Sequence, residues 1–141
     1  MSSMRLAGWG VIAVLIASCS LIAPRPRQTP ITTLSQPPRV TLDDVPGQPT
    51  SWCWGNACAD GTIDPARAPL VQWATELRFE VQPVELHAQV LRTRADGGIL
   101  QEETVPIAGQ ALGPIPPGQW NIITVFVRYA KGDAAYAWRL H

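Results

Sequence analysis

Reactive side chains are sparse in this sequence, and they lack the spacings of known catalytic groups. His87 follows Glu85 by two positions in an alternating segment, which predicts that its side chain lies on a solvated strand face. Ser51 has none of the flanking glycines of a nucleophile elbow. Glu102 and Glu103 are adjacent and would point to opposite faces of a strand, so they cannot act as a paired acid and base. We therefore expect a protein that is not an enzyme.

Metal, cofactor and nucleic-acid binding are also not supported by the composition. A structural zinc site takes four ligands, and the chain has only three cysteines and two histidines. Asp60 and Asp64 are typical of turn residues, since too few other oxygen ligands surround them to hold calcium. The 11 basic and 11 acidic residues leave no net charge with which to attract nucleic acid. We expect no metal site, no cofactor and no nucleic-acid partner.

Cys19 is the cysteine whose sequence context is most informative about its role. Arg5 precedes an uncharged apolar run over residues 6–16, which is typical of a secretory signal peptide. The run Leu15-Ile16-Ala17-Ser18-Cys19 then resembles the lipobox of bacterial lipoproteins. That resemblance implies that residues 1–18 are removed as a lipoprotein signal peptide and that Cys19 becomes the lipidated N-terminus. The membrane would then be a partner through the N-terminal lipid.

Two other readings of the N-terminus remain open. Residues 6–23 are uncharged over 18 positions, the lower limit for an uncleaved transmembrane anchor. Arg25 and Arg27 would then flank the outer side, against the positive-inside rule. Ordinary cleavage without lipid is the third reading. The lipoprotein reading places the domain outside the cytoplasm, anchored by lipid to the outer face of the cell membrane or to the outer membrane.

A proline-rich segment separates this N-terminus from the rest of the chain. Residues 20–50 hold seven of the 14 prolines, and each proline removes a backbone donor and favours extended geometry. We predict that residues 19–38 form the lipidated N-terminus and a disordered, semi-rigid linker. At about 3 Å per residue, such a segment would reach about 60 Å from the membrane.

Residues 39–141 show the pattern of short strands and turns. Alternation predicts strands over residues 77–81, 84–90 and 136–140, and further strands are expected over 39–42, 99–107 and 120–130. Asp96-Gly97-Gly98 predicts a hairpin, Pro106 an edge strand and residues 70–75 at most one helical turn. This spacing predicts an all-β, immunoglobulin-like antiparallel β-sandwich of six or seven strands.

The last two strands carry the strongest apolar signal. Trp120 and Ile122 have one parity and Val125, Val127 and Tyr129 the other, so we predict a β-bulge near residues 123–124 that brings all five to the core. Trp120 and Trp138 are expected in the core. The run Gly118-x-Trp120, Val125-x-Val127-x-Tyr129 and Gly132-Asp133-x-x-Tyr136-x-Trp138 resembles the last hairpin of such domains in small exported bacterial lipoproteins. The resemblance implies a β-sandwich with no known active site.

The remaining cysteines lie in the segment Trp52-Cys53-Trp54-Gly55-Asn56-Ala57-Cys58, which resembles the same lipoproteins. Cys53 and Cys58 are close enough for a disulfide across a hairpin tip, with free thiols or a redox or metal role as the alternatives. We expect one of Trp52 and Trp54 to pack on the disulfide and the other to face oppositely, where it would suit a sugar ring or a protein partner. Simple packing of both is the other reading.

These patterns together predict a membrane-anchored cell-envelope lipoprotein with a non-catalytic structural or interaction domain. The alternative is a carbohydrate- or peptide-binding module that uses Trp52 and Trp54 beside the Cys53–Cys58 loop. In either case the expected partner is an envelope protein or a glycan.

Overall fold

Every regular element of the described chain is a β-strand. The structure is a computed structural model that describes residues 36–141; the predicted signal peptide, Cys19 and the predicted linker up to residue 35 lie outside this range. The predicted all-β class is confirmed, and the arrangement is consistent with a β-sandwich, but twelve short strands replace the expected six or seven. The strands are β1 (Val40–Leu42), β2 (Val45–Pro46), β3 (Gln48–Trp54), β4 (Ala57–Asp60), β5 (Leu70–Val71), β6 (Leu77–Phe79), β7 (Glu85–Thr93), β8 (Ile99–Val105), β9 (Ile107–Ala108), β10 (Ala111–Leu112), β11 (Ile122–Tyr129) and β12 (Gly132–Leu140).

One large sheet dominates this topology. Its strand order is β4-β3-β12-β11-β7-β8, and β5 pairs in parallel with the end of β12. A three-stranded sheet, β2-β1-β6, and the short hairpin β9-β10 complete the strand pairing. Strand β8 lies at the edge of the large sheet, as Pro106 predicts, and the predicted Asp96-Gly97-Gly98 turn joins it to β7. Among residues 36–141 there is no helix of the length and apolarity needed to cross a membrane.

The main core lies on one face of the large sheet, which we call the inner face. Every second residue of β11 and β12 points there, because successive side chains of a strand alternate between faces. The three-stranded sheet contributes apolar side chains of its own to the same cluster. Each such side chain contributes about 1.5–3 kcal/mol on full burial. The buried cluster includes Val40, Leu42, Leu77, Val90, Ile123, Val125, Val127, Tyr136 and Trp138.

The predicted bulge in β11 is wrong. Strand β11 pairs without a register shift with both β12 and β7, so Ile123 faces the core and Ile122 faces the other side of the sheet. Ile122 is nevertheless fully buried, because it packs with Ala68 and Leu91 in a second, smaller cluster. The expectation failed because it assumed one apolar face, whereas the segment before β5 covers part of the second. Trp120 precedes the strand and is only partly buried.

The expected helical turn over residues 70–75 is also absent. Leu70 and Val71 form β5 instead, and flanking backbone hydrogen bonds hold them to the end of β12. The amide of Arg139 donates to the carbonyl of Pro69 at 2.8 Å, and the amide of His141 donates to that of Val71 at 3.2 Å. The available edge of β12 therefore decides the conformation of this segment.

Trp138 joins the two sheets. Its ring is fully buried, as predicted, and its indole Nε1 donates a hydrogen bond to the carbonyl of Val45 at 2.8 Å. Gly47 lies directly against the ring, and a Cβ built on it would be 2.5 Å from the indole Cζ2. The β1–β2 hairpin can approach β12 this closely because residue 47 has no side chain.

Tyr136 holds the segment that precedes β1. Its hydroxyl donates a hydrogen bond to the carbonyl of Pro38, and the hydroxyl oxygens of Tyr136 and Tyr129 lie 3.5 Å apart. Burial raises the pKa of Tyr136 and of Tyr129 above that of an ordinary phenol, so both stay neutral. Pro38, the last residue of the predicted linker, is buried by this contact.

The contact between Gly47 and Trp138 leads to a prediction. We expect Gly47→Ala to lower the free energy of unfolding by about 1–3 kcal/mol, because the added methyl group overpacks the indole. The measurement is urea unfolding of the full chain. Trp138→Phe is the matched background, because its smaller ring makes room for the methyl group. The double variant should therefore lose less unfolding free energy than the sum of the two single losses. An unchanged unfolding midpoint for Gly47→Ala would contradict the contact.

Candidate functional site

The outer face of the large sheet, opposite the main core, brings together four side chains that are far apart in sequence. Strand register places Ser51, Ala135, Phe126 and His87 side by side in one cross-strand row. Each comes from a different strand, in the order β3, β12, β11 and β7. Their alignment follows from backbone pairing, because residues opposite one another in antiparallel strands project to the same face.

This row forms a depression that we call the outer-face groove. Its cavity volume is about 240 Å³. Ala135 is only 3% exposed and lines the depression between its cross-strand neighbours Ser51 and Phe126. Phe126 is 44% exposed, and the ring centroid of His87 lies 6.2 Å from that of Phe126. The result is a small apolar depression with two aromatic rings along one side.

A second cross-strand row supplies charges to the same groove. Asp133, Arg128 and Glu85 are neighbours on β12, β11 and β7. Arg128 Nη2 and Glu85 Oε2 form an ion pair at 2.6 Å, and both side chains are more than half exposed. Solvent screening limits such a pair to at most about 1 kcal/mol of stability. Within residues 36–141, Asp133 takes part in none of the ion pairs, so its carboxylate remains available at the rim.

The groove contains serine, histidine and carboxylate side chains, but their spacing does not form a catalytic group. Ser51 and His87 are separated by β12 and β11, which is about 14 Å at about 4.8 Å per strand. A base must come within hydrogen-bonding distance of a nucleophile to activate it. His87 is exposed, as its alternating context predicts. In the described part of the chain, no three His, Cys, Asp or Glu side chains are grouped so as to hold a metal ion.

The Cys53–Cys58 disulfide lies beside the groove. The two cysteines are directly opposite one another in the β3–β4 hairpin, and the disulfide predicted from the sequence is present. Gly55, the first residue of the two-residue turn, has a left-handed φ of 62°, which glycine adopts without strain. Cys53 is the cross-strand neighbour of Asp133 on the outer face, so the disulfide stabilises the hairpin that carries Ser51.

Trp52 and Trp54 do not contribute to this groove. They are two residues apart on one strand and therefore share a face, so the expectation that they face oppositely is wrong. Both are partly buried and pack against the main core, and the ring of Trp54 meets that of Tyr129 edge-on at 5.5 Å. Cys53 alternates with them and points to the outer face, so neither tryptophan packs on the disulfide as expected. The reading in which both simply pack agrees with these contacts.

The groove itself escaped the sequence reasoning. The sequence pattern did not identify Phe126 as a surface residue, because its neighbours Val125 and Val127 show the alternation of a core strand. The available signal was the alternation of Ala135 and Ala137 with Tyr136 and Trp138, which leaves one face of β12 with small side chains only. Which residues lie opposite those alanines depends on the register of β3 and β11, and that register is not readable from local sequence.

Comparison with known proteins gives no relative for this chain: no protein-family model, no curated protein and no solved structure matches it.

The exposed hairpin disulfide leads to a second prediction. We expect the double variant Cys53→Ala and Cys58→Ala to lose about 2 kcal/mol of unfolding free energy, because the short loop is no longer constrained in the unfolded chain. Chemical unfolding of the oxidised protein and of the variant measures the difference. The variant should keep its β-sheet circular dichroism, since β4 is an edge strand. A reductant should destabilise the wild type but not the variant; equal stability of the two proteins would contradict the prediction.

Proposed function

We propose that this chain is a membrane-anchored lipoprotein of the cell envelope whose β-domain is a non-catalytic interaction module. Cys19 carries the lipid, residues 1–18 are the signal peptide and residues 19–38 are the linker. The domain contacts an envelope partner through the outer-face groove. The observation that carries the interaction role is the exposed ring of Phe126 beside the depression over Ala135.

The size of the groove favours a single anchoring group. At about 240 Å³ it is smaller than the roughly 300–1,000 Å³ of pockets that enclose small molecules. One side chain of a protein partner or one ring of a glycan would fill it. Partners commonly dock a few anchor side chains into such depressions, surrounded by contacts of lower energy. The wide separation of Ser51 and His87 supports a role in binding and not in catalysis.

The position of residues 36–38 is compatible with this use of the groove. Pro38 is held by Tyr136, whose side chain points to the inner face of the large sheet. Phe126 and Ala135 point to the opposite face. Residues 36–38 therefore do not cover the groove, and a partner would reach it from the side away from Pro38.

The alternative of carbohydrate or peptide binding at Trp52 and Trp54 is less well supported. Both indoles are partly buried against the main core, so a smaller fraction of each is exposed than of Phe126, although Trp54 also lines a cavity with Pro38 and Glu80. If a glycan or a peptide is the ligand, Phe126 and His87 offer the more accessible aromatic surface.

The anchor is tested by metabolic labelling. Cells that produce the full chain are given radiolabelled palmitate, and the wild type is compared with Cys19→Ala. We expect label in the wild type only, because the thiol of Cys19 is the proposed acceptor. Cys58→Ala is the control and should keep its label. Equal labelling of wild type and Cys19→Ala would refute the lipoprotein reading.

The interaction role is tested by site-specific photo-crosslinking in the producing cells. A photoreactive residue replaces Phe126 in the groove or, as the matched control, Trp73, which is 73% exposed in the loop after β5. We expect one discrete crosslinked species from position 126 and none of the same mass from position 73. Ala135→Met, which fills the depression, should remove it. The same crosslink from both positions, or its persistence with Ala135→Met, would refute the role of the groove.

A further inference from the structure

We propose that the outer-face groove recognises an arginine side chain of a protein partner. This inference rests on the interaction role proposed above and specifies the chemistry of its ligand. It follows from three features of the groove: the sign of its charge, the exposed aromatic rings and the position of one carboxylate relative to those rings.

The charge around the groove is negative. Glu85 and Asp133 carry carboxylates at its rim, and Arg128 is the one cation among its lining side chains. Arg128 already pairs with Glu85 at 2.6 Å, so its charge is largely compensated within the groove. Asp60 lies on the same outer face, opposite Ser51 and exposed, and adds a further negative charge. A cationic ligand group is therefore attracted and an anionic one repelled.

The aromatic side of the groove suits a planar cation. Phe126 is 44% exposed, and the ring of His87 lies beside it with an interplanar angle of 39°. A guanidinium group stacks on such a surface through cation–π attraction, and arginine does so more often than lysine. Ala135 leaves the space next to the ring that the aliphatic part of the arginine side chain would occupy.

The carboxylate of Asp133 is placed to meet the edge of a stacked guanidinium. Phe126 is directly opposite Ala135, and Asp133 is two residues before Ala135, so Phe126 and Asp133 are diagonal neighbours. Diagonal neighbours in antiparallel strands have Cα atoms about 7–8 Å apart. One planar group can therefore lie on the ring and donate two hydrogen bonds to the carboxylate. Lysine can place its charge there but cannot combine stacking with two parallel hydrogen bonds.

A peptide titration tests this assignment. Isotope-labelled full chain in detergent micelles is titrated, by nuclear magnetic resonance, with a glycine–serine peptide that has one central arginine. The same peptide with citrulline, which keeps the shape but loses the charge, is the matched ligand. We expect binding about tenfold weaker for citrulline, since charged hydrogen bonds are roughly twice as strong as neutral ones. Amide shifts should centre on residues 126 and 133.

Protein variants separate the contributions. Asp133→Asn should weaken arginine binding about tenfold, and Phe126→Leu, which keeps an apolar side chain but removes the ring, about threefold. Glu103→Gln also removes one negative charge. Glu103 lies on β8, opposite Val90 of β7 and away from the groove, so this variant should leave binding unchanged. Thermal unfolding of each variant checks that the fold is kept.

Three outcomes would overturn the assignment. The first is equal binding of the arginine and citrulline peptides, and the second is equal loss from Asp133→Asn and Glu103→Gln. The third is a set of shifts at residues 126 and 133 caused by a neutral oligosaccharide but not by the arginine peptide, which would identify a glycan site. In each case a crosslink specific to position 126 would still support the interaction role, so the two proposals fail separately.

Discussion

The structure depends on the burial of Trp138 between its two sheets. The indole fills the space between β12 and the β1–β2 hairpin, and its N–H would be unsatisfied there without the carbonyl of Val45. A buried donor without a partner costs about 1–3 kcal/mol, so this hydrogen bond fixes both the position of the β1–β2 hairpin along β12 and its distance from that strand. Gly47 permits that distance. Trp138 and the missing side chain at Gly47 therefore determine how closely the smaller sheet approaches the larger one, and Val40, Leu42 and Leu77 complete the contact.

Strand β12 also determines the character of both faces of the large sheet. Its inward residues are Ala134, Tyr136 and Trp138, and its outward residues include Ala135 and Ala137. The large side chains of Tyr136 and Trp138 on the inner face supply apolar burial that a small domain needs to fold. Small side chains on the outer face leave room beside β12. Above Ala137 that room is filled by the segment that includes Ala68, whereas beside Ala135 the side chains of Ser51, Phe126 and His87 line an open depression, which is the groove.

Local pattern anticipated much of the architecture and failed where a second layer intervened. The Asp96-Gly97-Gly98 turn and the Cys53–Cys58 pair were readable because each depends on a few adjacent residues. The bulge in β11 was expected only because one apolar face was assumed, and the cover over Ile122 is contributed by residues over 50 positions earlier. The error over Trp52 and Trp54 has a simpler origin, since period-2 geometry already puts them on one face.

The sequence by itself determined the all-β class, the turns, the disulfide and the buried position of Trp138, because these follow from short-range periodicity and from side-chain chemistry. It also carries the whole argument for the proposed lipid anchor at Cys19. Only the tertiary structure decided which strands adjoin β12 and in what register. That register places Phe126 from one strand and His87 from another beside Ala135 and Asp133. A groove made from four strands has no local signature, since each strand contributes at most three of its residues.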